Sequence, residues 1–487
     1  MTGLLVAGTT SDAGKSVVTT ALCRAFARRG VRVAPFKAQN MSNDSMVTAD
    51  GAEIGRAQWV QARAARAEPE AAMNPVLLKP GGDRRSHVVV MGRPAGSLSS
   101  ADFLGGRGRL ATAAFAAFDD LRGRYDVVVA EGAGSPTEIN LREHDFVNMG
   151  LARHGDLPVV VVGDIDRGGV FAALHGTLAL LDGADQDLVS AFVLNKFRGD
   201  PSLLGPALDR ITALTGRPFA GVLPWDSGLW LDSEDALDLD GRRSGDAGAA
   251  LRVAVVRLPR ISNFTDVDAL GIEPGVDVVF ASEPRHLDPA DLVVLPGTRA
   301  TIDDLAWLRS RGLDRAIVRH AAAGRSVLGI CGGMQMLGRS IADPHGVEGE
   351  PGARVEGLGL LDVTTEFTVD KVLRLHGPGY EIHHGRVTRG PGTEDHPGGA
   401  RAGAVAGTMW HGCLEDDTAR RDLLTEAARA AGIDLAPATA SFEQHREARL
   451  DLLADLAEEH LDVDALLDLA TTGAPAGLPR IAPGGRD

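Results

Sequence analysis

Leu4-Leu5-Val6-Ala7-Gly8-Thr9-Thr10-Ser11-Asp12-Ala13-Gly14-Lys15-Ser16 is the stretch from which the fold can be read. A short apolar run enters a loop of small residues, and Gly-Lys-Ser follows. Val18, Leu22 and Phe26 then recur at helical spacing before Gly30. Strand, small-residue loop and helix in this order make an anion cradle, because the backbone N–H groups of Thr10, Ser11, Asp12, Ala13 and Gly14 converge with the helix N-terminus. Lys15 supplies a cation for phosphates and Ser16 a hydroxyl for magnesium. The competing reading is a surface loop that happens to contain Gly-Lys-Ser; the strand before it and the helix after it oppose that. The loop departs from the common spelling at Thr9, which stands where the first glycine usually does. Cys23, within the helix, reads as a small packing residue.

The same grammar continues outward. β-Branched runs at 127–130, 159–162 and 192–194 alternate with longer Ala/Leu/Arg-rich stretches, which predicts buried parallel strands joined by crossover helices. A Gly/Asp-rich stretch over 226–250 breaks the pattern, and runs at 252–256, 278–280, 292–295 and 326–330 restart it. The expectation is an α/β protein of two domains, each with a mainly parallel sheet flanked by helices. It divides into a nucleotide domain over 1–228, a linker over 229–250 and a second α/β unit over 251–440. A helical segment over 441–470 follows, opened by a Ser441/Gln444 capping box, and then a Pro/Gly-rich flexible tail over 471–487.

Composition narrows the function. The 487 residues are 44% hydrophobic with a formal charge of −16, so the mean field repels nucleic acid, and no apolar run approaches a membrane span. A cytoplasmic enzyme is the expectation. Cys23, Cys331 and Cys413 are too few and too scattered for a disulfide framework. Oligomeric state is not legible.

Magnesium calls for carboxylates. Glu131, in Val129-Ala130-Glu131-Gly132-Ala133-Gly134, sits where a strand end meets a glycine-rich turn, the place where open α/β sheets put ligands. Asp164 has the same positional logic. Asp50 and Glu53, in a polar loop, are further candidates, with solvated turn residues as the equal alternative.

A second chemical site follows the run at 326–330, in Gly329-Ile330-Cys331-Gly332-Gly333-Met334-Gln335. Small residues around a nucleophile on a tight strand-to-helix turn hold its side chain outward, and the following N–H helps to build an oxyanion hole. Cys331 is thus a candidate nucleophile and His411, in Thr408-Met409-Trp410-His411-Gly412, its base. Gly297, closing the run at 292–295, and Gly332 are the oxyanion candidates.

The loop spelling, Lys37 in Phe36-Lys37-Ala38-Gln39-Asn40, the Glu131 turn, and Asn195-Lys196 followed by Leu223-Pro224-Trp225 resemble the dethiobiotin-synthetase-like branch of phosphate-loop enzymes. That resemblance implies ATP and Mg2+ as cofactors, Lys37 stabilising the transferred phosphoryl group, Ser16 and Glu131 on magnesium, and Asn195 on adenine. The segments around Gly297, Cys331 and His411 resemble the class I glutamine amidotransferase domain. Many members carry Glu two residues after the histidine, where this chain has Cys413, so the reading is a Cys331–His411 dyad.

The two domains in this order, with Asn74-Pro75-Val76-Leu77-Leu78-Lys79-Pro80, Asp164-Ile165-Asp166-Arg167-Gly168-Gly169-Val170-Phe171, Asn195-Lys196-Phe197-Arg198-Gly199-Asp200 and Gly379-Tyr380-Glu381-Ile382-His383, resemble the corrinoid amidases. The resemblance implies glutamine as nitrogen donor and a corrinoid substrate, adenosylcobyrinic acid a,c-diamide, amidated at its b, d, e and g carboxylates. The alternatives are the amidase acting on the a and c carboxylates, and a phosphate-loop switch carrying an inert amidotransferase-like module. Arginines in 164–171 and 257–263 either help to hold the ring or are ordinary exposed side chains.

Overall fold

The computed structural model describes residues 3–81, 85–99, 103–226, 250–377, 379–436 and 440–484. The linker expected over 229–250 lies outside the described residues except for Ala250.

In the first unit six parallel strands form one sheet, in the order Phe219–Pro224, Val189–Phe197, Val159–Asp164, Gly3–Gly8, Val127–Glu131, Val33–Phe36. Side chains of the three central strands alternate between two cores. Leu5, Ala7, Val128, Ala130, Val159 and Val161 enter one, and Leu4, Val6, Val127, Val129, Val160 and Val162 enter the other. Burial on both faces explains why these strands read as continuous apolar runs. The centre of the sheet brings the C-terminal ends of Gly3–Gly8, Val127–Glu131 and Val159–Asp164 together, where loops carry the chemistry.

The second unit is built around a sheet of seven strands. Val276–Ala281, Leu251–Val256, Leu292–Leu295, Ser326–Ile330 and Val405–Thr408 are parallel, and Gly399–Ala402 and Glu394–His396 extend the edge antiparallel. A long hairpin, Val363–His376 with Gly379–Arg389, reaches from this unit to the first. Its Tyr380 and Ile382 are buried within the first unit's core, and its Lys371 pairs with Glu53 at 2.5 Å. No sequence signal announced this hairpin, because the surface that buries its residues belongs to the other unit.

The single helical segment expected over 441–470 is two helices, Phe442–His460 and Val463–Thr472. The capping box at Ser441 and Gln444 opens the first, and Asp462 caps the second by accepting from Ala465 N–H. Both return to the first unit. Leu450, Leu453, Ala454 and Ala457 pack with Val18, Leu22 and Phe26 of the phosphate-loop helix, Lys15–Arg28. Arg24 pairs with Asp451 at 3.0 Å and with Glu447, and Arg28 with Asp455 at 2.6 Å.

The flexible tail expected from 471 onward is corrected by the structure. Through Gly484 it lies against the first unit: Ile481 N–H donates to Gln186 Oε1, Arg480 pairs with Asp187 at 2.6 Å, and Gly484 N–H reaches Ala179 O. Backbone groups that Pro and Gly leave without regular structure are satisfied here by tertiary partners. Among the described residues no helix is long and apolar enough to cross a membrane.

Candidate functional site

The strand Gly3–Gly8 delivers the loop to the N-terminus of Lys15–Arg28 through Gly14, whose φ is 99°. A side chain here would be strained and would place its Cβ 1.9 Å from Asn195 Nδ2, so glycine is required twice over. Lys15 Nζ donates to the carbonyl oxygens of Thr10, Ser11 and Gly134 at 2.9, 3.0 and 3.0 Å, folding the ammonium back over the cradle.

Glu131 is the hub. Its Oε1 accepts from Ser16 Oγ at 2.9 Å and Lys37 Nζ at 2.8 Å, and its Oε2 from Gln61 Nε2 at 2.6 Å. Burial alone would raise this carboxyl; Lys37, Gln61 and Lys15 outweigh it and hold the group below its ordinary value. Ser16 and Glu131 thus present a hydroxyl and a carboxylate from two elements to one point, a donor set that fits a hard cation. Among the described residues no cluster of His, Cys, Asp or Glu makes a self-sufficient metal cage. A cation here would depend on bound phosphate as well.

The other candidates are placed differently. Asn195 Nδ2 donates to Ala13 O at 3.0 Å, so this side chain buttresses the loop from the end of Val189–Phe197. Asp164 is buried on another flank, accepting from Lys196 Nζ and Asp166 N–H, both at 2.9 Å. Near it, Arg167 reaches Asp12 at 2.9 Å. Asp50 and Glu53, the further metal candidates, hold partners of their own. Asp50 is an exposed turn residue accepting from Thr48 Oγ1. Glu53 is fully buried, its Oε1 accepting from Lys79 Nζ and Ser45 Oγ and its Oε2 from Lys371 Nζ.

In the second unit Cys331 stands at the end of Ser326–Ile330 with φ 50° and ψ −109°, and its N–H bonds Thr408 O at 2.7 Å. That conformation is strained for a residue with a side chain and is held by close packing on every side. A Cβ on Gly329 would come within 2.7 Å of Met334 N, on Gly332 within 2.7 Å of Thr298 Cγ2, and on Gly333 within 2.0 Å of Leu295 O. His411 follows Val405–Thr408, the parallel neighbour of the elbow strand, which is how a separation of 80 positions from Cys331 is closed. The hairpin braces it: His411 N–H donates to Tyr380 O at 2.8 Å, Tyr380 N–H returns to His411 O at 2.9 Å, and the rings stack at 5.5 Å.

His411 Nδ1 lies 2.7 Å from Asp266 Oδ2, and Gly412 N–H donates to Asp266 Oδ1 at 2.8 Å. Burial pushes this imidazole down, but the Asp266 carboxylate and then the Cys331 side chain, to which it hydrogen-bonds, raise it to about 10. Asp266, His411 and Cys331 therefore form one hydrogen-bonded cluster, and the sequence reading missed Asp266. Asp266 lies on the 3-10 helix Phe264–Ile272, 145 positions before the histidine, and only its place after the polar Ser262-Asn263 turn marks it. Cys413, at the position where an acid was sought, is held protonated by burial and by Asp266. Cys23 is likewise raised by burial, as a packing thiol should be. Gly297 and Gly332 both border this centre: a Cβ on Gly297 would sit 2.8 Å from His411 Cε1, and Gly332 opens the helix after the nucleophile.

Two family models match the chain. Residues 4–237 match the CobQ/CobB/MinD/ParA nucleotide binding domain, and residues 252–419 the CobB/CobQ-like glutamine amidotransferase domain. The chain is 69% identical to the cobyric acid synthase of Mycolicibacterium gilvum, with 99% of this chain and 100% of the relative covered. It is 68% identical to that of Mycolicibacterium vanbaalenii and 66% identical to that of Mycobacterium tuberculosis, at the same coverage. The chain belongs to the cobyric acid synthase family.

Proposed function

We propose that the protein amidates the b, d, e and g carboxylates of adenosylcobyrinic acid a,c-diamide, using ATP and glutamine, in the cytoplasm. The observation that carries this reading is the presence in one chain of a Ser16–Glu131–Lys37 cluster and a Cys331–His411–Asp266 cluster, with a cavity beside Cys331 that both units line.

In the glutaminase half Cys331 Sγ attacks the carboxamide carbon of glutamine, and the oxyanion is met by backbone N–H groups around Gly297 and Gly332. Asp266 fixes the tautomer and orientation of His411, which gives its proton to the leaving ammonia. Water then cleaves the γ-glutamyl thioester, His411 accepting its proton, and glutamate leaves. In the synthase half the loop from Thr10 to Ser16 cradles the phosphates, and Lys15 and Lys37 stabilise the γ-phosphoryl group as it passes to a corrin carboxylate. Ser16 and Glu131 would hold Mg2+, which would supply neutralising charge for the phosphate oxygens. Ammonia displaces phosphate from the acyl phosphate and leaves an amide. Asn195 stands against the loop, where an adenine edge would come within its reach.

Mass spectrometry of the corrinoid after incubation with Mg-ATP and glutamine tests the assignment. Four successive acid-to-amide changes on the a,c-diamide are expected. No change on that substrate, with amidation of cobyrinic acid at the a and c positions instead, would overturn it in favour of the sister activity.

A further inference from the structure

The cavity beside Cys331 and His411 does not end within the second unit. Asn43 and Lys79 of the first unit line it together with Lys371 and His383 of the hairpin. At this boundary buried Glu53 ties Lys79 at 2.7 Å to Lys371 at 2.5 Å, one lysine from each unit. The chain leaves Glu53 through Gly55 into the helix Arg56–Ala64. A Cβ on Gly55 would lie within 2.9 Å of Gln58 Oε1, Asn40 Nδ2 and Asn74 Oδ1, all on buried side chains. One turn further Gln61 holds Glu131, while Asn74 Nδ2 donates to Lys37 O at 3.1 Å. A seam of buried amides therefore joins the lysine–glutamate–lysine triplet to the phosphoryl site.

We propose that the Lys79–Glu53–Lys371 triplet is a cation-excluding gate on the route by which ammonia passes from Cys331 along the Asn40–Gln58–Asn74 seam to the carboxylate activated beside Glu131 and Lys37. The proposal rests on the amide-synthase reading. Ammonia attacks an acyl phosphate only while neutral, and in water at neutral pH it is mostly ammonium. Two lysines share a single glutamate here, and Arg299 lines the same cavity 3.8 Å from Glu348, so three cations face two carboxylates at a boundary held away from bulk water. The titration of its neighbours supports this. Burial, then Arg299 and Lys371 among other cations, hold His87 at about 3, and burial, Lys371 and Arg299 hold His384 at about 4. A guest in the same surroundings meets the same penalty on its protonated form, so ammonia crosses uncharged and ammonium is turned back. Glu53 at the centre keeps the two lysines together across the interface.

The test uses the full chain with Lys371→Met, Lys79→Met and the charge-keeping Lys371→Arg. Glutamate released and amide formed are measured with glutamine as donor, and amide alone with ammonium chloride as donor. The wild type should form amide and glutamate in near-equal amounts. Both methionine variants should still release glutamate and still use ammonium, but their glutamate-to-amide ratio should rise severalfold as ammonia escapes, and Lys371→Arg should return the ratio to the wild-type value. An unchanged ratio in both methionine variants would overturn the gate, as would loss of ammonium-driven amidation in both, which would place the triplet in the synthase site. Failure of the wild type with either nitrogen source would reject the amide-synthase reading itself, a separate outcome.

Discussion

Asp266 sets the state of His411, and its removal separates positioning from nucleophilic attack. Asp266→Asn keeps the shape of the contact but loses the charge, so glutamate release should fall by about 10³–10⁴-fold while ammonium-driven amidation persists. The same pair fixes a pH dependence. A histidine raised to about 10 contributes stability that is full below its ordinary 6.5 and is lost as pH rises through 10. The difference in thermal stability between wild type and Asp266→Asn should therefore narrow steadily from pH 6 to pH 10. In the other unit Glu131→Gln, which loses the charge that Lys37 and Ser16 share, should abolish amidation with either nitrogen source and leave glutamate release intact. The elbow was legible in the sequence because it makes local demands, at Gly329, Gly332 and Gly333 around Cys331. The orienting acid was not, because it arrives from a distant segment through tertiary packing, and the position where local spacing sought it holds Cys413. The partners of Glu53 were hidden for a related reason: Lys371 reaches it on the hairpin of the other unit.

At the scale of elements, the strands were readable because burial on both faces leaves runs such as Val159–Val160–Val161–Val162 unmistakable. The docked end of the chain was not, since Arg480 and Ile481 acquire partners only from Asp187 and Gln186 across the fold. Individual elements are tied by buried ion pairs whose loss should be costly. Arg420, fully buried in the helix Asp417–Ala431, holds Glu273 at 2.7 Å and Leu414 O at 2.9 Å. Arg420→Met leaves the buried Glu273 carboxylate to the longer Arg421 contact at 3.6 Å, so chemical denaturation should show a loss of about 3 kcal/mol. Leu450 and Leu453 meet Val18 and Leu22 on the phosphate-loop helix, so the C-terminal helices complete the core beneath the nucleotide site.

Across the whole molecule the two units share one interface with a chemical purpose. Arg56 of the first pairs with Glu415 of the second at 2.8 Å, and Ser45 N–H donates to Asn263 Oδ1 at 3.0 Å. Asp44, fully enclosed, accepts from the backbone N–H groups of Asn263 and Phe264, at the start of the helix that bears Asp266. Burial raises Asp44 to about 7 against these hydrogen bonds and the nearby Lys79 and Arg56. A carboxyl raised in the folded state favours folding at low pH, and that contribution is lost as pH climbs from about 4 through 7. The thermal midpoint should therefore fall between pH 5 and pH 8, and Asp44→Asn should show a smaller fall than the wild type.

The central claim is that one unit makes ammonia and the other spends it on a corrinoid carboxylate. Cys331→Ala with Mg-ATP and adenosylcobyrinic acid a,c-diamide, given either glutamine or ammonium and read by mass spectrometry, tests it most directly. The account predicts no amide with glutamine and four amides with ammonium. Amide formation from glutamine by this variant, or none from ammonium when the wild type uses it, would contradict the division of chemistry between the two sites.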